Sequence, residues 1–168
     1  PETHFLVCLS NKEIAGFLIF ELYNKSHSCL LTYMAVSQKF RGSGIATKLI
    51  DSAKEAAYTR AVFGEVHNPY LIDKDKEPID PLLRLKVFKS LGFHLIPVNY
   101  IQPPLNKDSE CSNNLLLMTL SDKVEQTKIN SFYSEFSEVL TGQSEKKELE
   151  RSEEHTSELQ SHSFISYA

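Results

Sequence analysis

The sequence predicts an α/β (α+β) protein with a mixed, mostly antiparallel central sheet flanked by helices. Three observations predict it. Three β-rich runs joined by short polar breaks fill the first 36 residues, as in an antiparallel meander. The hydrophobic period then changes at Gly44 to that of an amphipathic helix. Strand-like and helix-like runs alternate from there to about residue 120. A chain of 168 residues suits one domain, and 41% hydrophobic with 24% charged residues excludes a wholly disordered one.

The elements follow in order. Residues 4–9 and 14–20 are strands around the polar turn Ser10-Asn11-Lys12, and residues 29–36 form the third strand after a polar break at 24–28. Ile45, Leu49, Ile50, Ala53, Ala56 and Ala57 fall on one stripe of a helix. Residues 62–67 are a short strand closed by Asn68-Pro69, and residues 70–81 are charged, hold two prolines and are expected to be a surface loop. Leu82, Leu83, Leu85, Val87, Phe88 and Leu91 give a short helix stopped by Gly92. Residues 93–98 and 114–120 are the last two strands, with a long loop around Pro103-Pro104 between them. From Ser121, a plausible N-cap, Val124, Ile129, Phe132, Phe136, Val139 and Leu140 share a helical face over residues 121–142. That helix either packs back on the sheet or binds a partner.

Composition removes several classes of function. Eighteen Lys and Arg against 22 Asp and Glu give a net charge of −4, so there is no basic field for nucleic acid. The longest apolar stretch, residues 14–20, is far short of a membrane span. Cys8, Cys29 and Cys111 are odd in number and widely spaced, with no C-x-x-C. They point to a reducing, cytoplasmic setting with neither a disulfide frame nor a metal site.

The chemistry concentrates in Val36-Ser37-Gln38-Lys39-Phe40-Arg41-Gly42-Ser43-Gly44-Ile45-Ala46. A strand ends, a loop with two glycines follows, and a helix begins. Converging N–H groups and the positive end of the helix dipole make a site for phosphate or pyrophosphate, with Lys39 and Arg41 as nearby charge. A Walker loop would need Lys and Ser or Thr after Gly44, and a dinucleotide fingerprint would need a third small residue where Thr47 sits. What remains is R-x-x-G-x-A, written Arg41-Gly42-Ser43-Gly44-Ile45-Ala46. This resembles the acetyl-coenzyme-A loop of the GNAT superfamily of N-acetyltransferases. The resemblance extends to the preceding strand, the following helix, the strand about 20 residues on, and Phe88-Lys89-Ser90-Leu91-Gly92-Phe93, which is similar to the family's Y-x-x-L-G-F.

The resemblance implies an acetyl-CoA-dependent N-acetyltransferase in which an amine acceptor, a small molecule or a peptide, attacks the thioester directly in a ternary complex without metal. The backbone of Met34, Ala35 and Val36 would pair with the pantetheine arm, and the N–H groups of Arg41, Gly42, Ser43, Gly44, Ile45 and Ala46 would hold the pyrophosphate. The strands at 31–36 and 62–67 would splay to leave a thioester slot, with an N–H near Val36 stabilising the oxyanion. Glu65, on the strand lining that slot, is the expected base, with His67 as its backup. Against these stand an ordinary carboxylate on an edge strand and a structural histidine. The usual tyrosine acid is replaced by Phe88, and a common asparagine seven residues earlier by Pro81, so the acid does not transfer. Tyr100 is either a substitute acid, a lining of the acceptor pocket, or an aromatic anchoring its loop.

Residues 1–120 are therefore expected to be a GNAT-like core without the family's first strand and helices, an N-terminally truncated chain. Residues 143–168 are expected to be a disordered tail, and 151–168 resemble a translated sequencing adapter, an artefact. Two rival readings stand beside the enzyme: a non-catalytic acyl-CoA-binding or sensing module, and an interaction protein working through residues 121–140. The acetyltransferase reading also admits a homodimer.

Overall fold

The computed structural model describes residues 1–71, 80–105 and 109–142. The tail and adapter readings at 143–168 and the middle of the loop at 70–81 lie outside the described residues.

Strands β1 (Glu2–Ser10) and β2 (Glu13–Tyr23) turn through Asn11 and Lys12, both at positive φ, the twist a two-residue hairpin needs. β3 (Ser28–Val36) completes the antiparallel meander. A single 3-10 turn (Gln38–Phe40) and the glycine loop lead into α1 (Ile45–Ala57), which crosses over to β4 (Ala61–His67), parallel to β3. Then come α2 (Pro81–Ser90), β5 (His94–Leu95), β6 (Leu115–Thr119) and α3 (Gln126–Thr141). The sheet runs β1-β2-β3-β4-β6-β5, mixed through its one parallel pair among the described strands. This is the expected mixed, mostly antiparallel α/β architecture.

Alternation along the strands sends the side chains to two faces. Leu18, Phe20, Val62, Val66 and Met118 meet the buried stripe of α1 and Leu85 of α2. Tyr23, Leu30, Phe63 and Leu117 meet α3 through Ile129, Phe132, Tyr133 and Phe136. The apolar face of α3 is thus buried against the sheet. Glu135 on the same helix accepts the N–H groups of Lys25 (3.2 Å) and Ser26 (2.6 Å), which ties α3 to the β2–β3 turn. Burial works against ionising this carboxyl, but the bonds from Ser26 and Lys25 outweigh it and hold it below its ordinary range. On the α3 side, α3 leaves β1 and part of β2 uncovered, and Phe5, Val7, Leu9 and Phe17 are exposed there.

Two local expectations are corrected, and one cap is added. α3 begins at Gln126, not near Ser121, and Ser121 is not its cap. The Ser121 Oγ instead accepts Val62 N–H at 3.4 Å while the Ser121 N–H donates to Thr119 Oγ1, so Ser121 finishes the C-terminal end of β6. The strand at 93–98 shrinks to two residues, because Pro97 has no N–H to donate and Val98 N–H turns back to the Ile96 carbonyl at 2.9 Å. α2 is capped by Asp80, whose Oδ1 accepts Leu82 N–H at 2.9 Å with Pro81 in the first turn.

Gly16 decides how closely α1 approaches the sheet. A Cβ there would stand 2.8 Å from the Ala35 carbonyl oxygen and 3.0 Å from Ile45 Cγ2. Gly16→Ala is expected to destabilise the fold by about 1–3 kcal/mol, the range for overpacking, measured by urea denaturation. An unchanged midpoint would mean that the start of α1 yields freely.

Candidate active site

β3 and β4 pair only from Ser28↔Ala61 to Leu31↔Gly64. From Thr32 to Val36, β3 keeps β2 on one side and has no strand partner among the described residues on the other. Met34 and Val36 are half-buried there and Ala35 is exposed. The strand then runs into the glycine loop. Gly42 and Gly44 both sit at φ +78°, where a side chain is strained, and a Cβ on either would meet no protein atom. The two glycines therefore bend the backbone while leaving the space beside it open.

Within the loop, Arg41 N–H bonds to the Gln38 carbonyl and Ser43 N–H to the Phe40 carbonyl, each at 3.3 Å. The first α1 bond is Lys48 N–H to the Gly44 carbonyl at 3.1 Å. The N–H groups of Gly42, Gly44, Ile45 and Ala46 thus lack backbone acceptors among the described residues, at the positive end of α1. Four of the six expected donors are free, and two already bond within the loop. Lys39 pairs with Glu13 and lies over the Phe40 ring, while the Arg41 side chain is exposed.

Glu65 is the first β4 residue beyond the last β3–β4 pair. β4 is an interior strand between β3 and β6, so the edge-strand alternative for Glu65 is overturned. By alternation its half-buried side chain lies on the α3 side. Tyr100 OH donates to Glu65 Oε1, and Gln102 Nε2 lies 3.1 Å from Oε1 and 3.0 Å from Oε2. Burial raises the Glu65 carboxyl above its ordinary 4.5, against the lowering pull of the Tyr100 and Gln102 bonds. Tyr100 is buried, and burial first, then the Glu65 charge, pushes its phenol well above the usual range. His67 Nδ1 sits 3.1 Å from Arg84 Nη1. Phe88 packs edge-on against Phe93 with centroids 5.1 Å apart, in the core.

Glu65 and Tyr100, 35 positions apart in the chain, therefore meet directly, and the glycine loop lies at the end of the strand that parts from Glu65's own. Gln102 was not anticipated. Its signal is faint: a polar residue two positions after Tyr100, on the same side if that segment is extended.

No helix of the described residues is long and apolar enough to cross a membrane, and these residues hold no group of three His, Cys, Asp or Glu that could bind a metal ion. A comparison with curated proteins gives no match. Among solved structures, a GNAT-family protein from Bacteroides thetaiotaomicron superposes with a TM-score of 0.63 at 16% identity, over 84% of this chain and 74% of that one. A protein assigned as a streptothricin acetyltransferase from Bacillus anthracis, solved with acetyl coenzyme A, gives 0.52 at 18% identity over 73% and 64% of the two chains. A nourseothricin acetyltransferase gives 0.53 at 19% over 71% and 65%. The chain thus spans less than two thirds of the last two, and at such identities the likeness is one of fold. The family model described as an acetyltransferase (GNAT) domain matches residues 1–95, more than half of the sequence, and the chain belongs to that family.

Proposed function

We propose that this protein is an N-acetyltransferase that passes the acetyl group of acetyl-CoA to an amine, by direct attack within a ternary complex. The observation that carries the reading is the parting of β3 from β4 immediately before Glu65, on a strand that leads into the loop with free N–H groups. The solved B. anthracis relative holds acetyl coenzyme A, which supports the choice of donor.

In this reading the pantetheine arm adds to the open side of Met34, Ala35 and Val36, and the pyrophosphate takes the N–H groups of Gly42, Gly44, Ile45 and Ala46 within the segment from Arg41 and Ser43 onward. Glu65 removes a proton from the acceptor ammonium, which is mostly protonated near neutral pH. The free amine attacks the thioester carbonyl, whose oxygen is stabilised by an N–H near Val36. Collapse breaks the C–S bond, and Tyr100 gives its phenolic proton to the departing thiolate. Glu65 returns the proton it took to the Tyr100 oxygen along their hydrogen bond, and the attacking nitrogen, which still carries two protons in the adduct, gives one to water, so the amide leaves neutral and the site ends as it began.

The direct test is CoA release from acetyl-CoA with a panel of small alkyl amines and peptide N-termini. Turnover with at least one acceptor is expected. Tight acetyl-CoA binding with no turnover on any would favour the sensing module, a reading to which the phenol-less Phe88 lends weight. Gly44→Val bears on the loop itself. A branched side chain at φ +78° is strained and fills the space beside the free N–H groups. Acetyl-CoA affinity is expected to fall at least tenfold, about 1.4 kcal/mol, by calorimetry. Unchanged affinity would place the coenzyme elsewhere.

A further inference from the structure

We propose that Gln102 is the positioning residue of this site, fixing the plane of the Glu65 carboxylate so that Oε2 faces the incoming proton, and that α3 braces it through Tyr133. This rests on the reading of Glu65 as the base. A carboxylate on its own rotates about its last side-chain bond, and a base must hold one lone pair on target. Gln102 Nε2 lies within hydrogen-bond distance of both oxygens, at 3.1 and 3.0 Å, which stops that rotation. Tyr100 OH occupies Oε1 as well, so Oε2 is the oxygen with fewer donors among the described residues.

Gln102 is itself held on two sides. Its backbone exchanges both hydrogen bonds with Ser112, at 2.7 and 3.1 Å. The carbonyl of Ile101, its neighbour, accepts Tyr133 OH from α3 at 2.8 Å. The rings of Tyr100 and Tyr133 lie edge-on with centroids 6.2 Å apart. Residues 100–102 thus alternate: the outer two reach Glu65 and the middle one is tied to α3.

The titratable groups around the carboxylate are Tyr100, Tyr133 from α3 and Tyr23 from β2, with Glu21 and Glu135 beyond Tyr23. Burial raises Tyr23 and Tyr100, so neither phenol titrates in the range where a carboxyl does. His67 is next on the same side of β4, so the Glu65 carboxyl resonance itself is followed.

The experiment is a 13C NMR titration of that carboxyl, assigned by its loss in Glu65→Gln, together with the pH dependence of kcat/KM. Gln102→Leu is expected to move the Glu65 titration upward by about one unit or more, since a donor to the charged form is lost. The acidic limb of kcat/KM is expected to move with it while the KM for acetyl-CoA stays unchanged. Tyr133→Phe, which removes only the hydroxyl, is expected to give a smaller upward shift. An unmoved Glu65 titration in Gln102→Leu overturns the proposal, and an unmoved one in Tyr133→Phe overturns the bracing by α3. If the acidic limb persists in Glu65→Gln, the base reading fails separately, because the resonance reports the clamp without turnover.

Discussion

Glu65→Gln is expected to lower kcat by about 10²–10⁴-fold while leaving acetyl-CoA affinity unchanged. That corresponds to roughly 3–5 kcal/mol of barrier. The substitution keeps the shape of the side chain, and its amide oxygen still accepts from Tyr100 OH, so the loss reports proton removal rather than collapse of the site. The pH dependence supplies a second readout. With Glu65 as the proposed base the active form is the ionised carboxylate, and burial raises its pKa above 4.5, so the acidic limb of kcat/KM is expected to be displaced upward from the ordinary carboxylate range. In Glu65→Gln that limb disappears. Stability has the opposite sign: the folded chain holds this proton more tightly than the unfolded one, so the contribution of Glu65 is fully present below 4.5 and is lost as pH rises through the raised folded value. A variant with wild-type kcat at every pH would take Glu65 out of the mechanism.

Phe132→Ala is expected to cost about 3–5 kcal/mol of stability, the range for truncating a buried phenylalanine. Phe132 is fully buried, stacked on Phe63 with centroids 4.4 Å apart and on Phe136 at 5.6 Å, and meets Tyr23 edge-on at 5.6 Å. Urea denaturation measures it. The result separates the two uses of α3 weighed from the sequence. A helix whose apolar face waits for a partner loses little stability when that face is cut, whereas a helix that closes the sheet loses most of this amount. A cost below about 1 kcal/mol would favour the partner surface.

How much was legible follows from what each residue depends on. β1 to β3 and α1 show in the chain because their burial is periodic, at two residues for the strands and near 3.6 for the helix. The glycine loop shows because left-handed backbone calls for glycine at Gly42 and Gly44, and both are local. The start of α3 did not show: whether Ser121 caps a helix or closes a strand depends on Val62 and Thr119, and Val62 is 59 positions away. β5 was overextended because its β-rich composition hides what Pro97 removes, the N–H that would continue the ladder. Glu65 was legible as a carboxylate on the right strand. Its interior position and its two donors were not, since they come from strand order and from a loop stretch held by Ser112 and Tyr133.

The central claim is that acetyl-CoA lies between the open side of β3 and the start of α1, with its thioester toward Glu65. Amide NMR chemical-shift mapping of the full chain during titration with acetyl-CoA tests it most directly. The account predicts that the largest shifts fall on Gly42, Gly44, Ile45 and Ala46, with a second group at Met34, Ala35 and Val36. Saturable binding that leaves those amides unmoved and shifts another surface would contradict it.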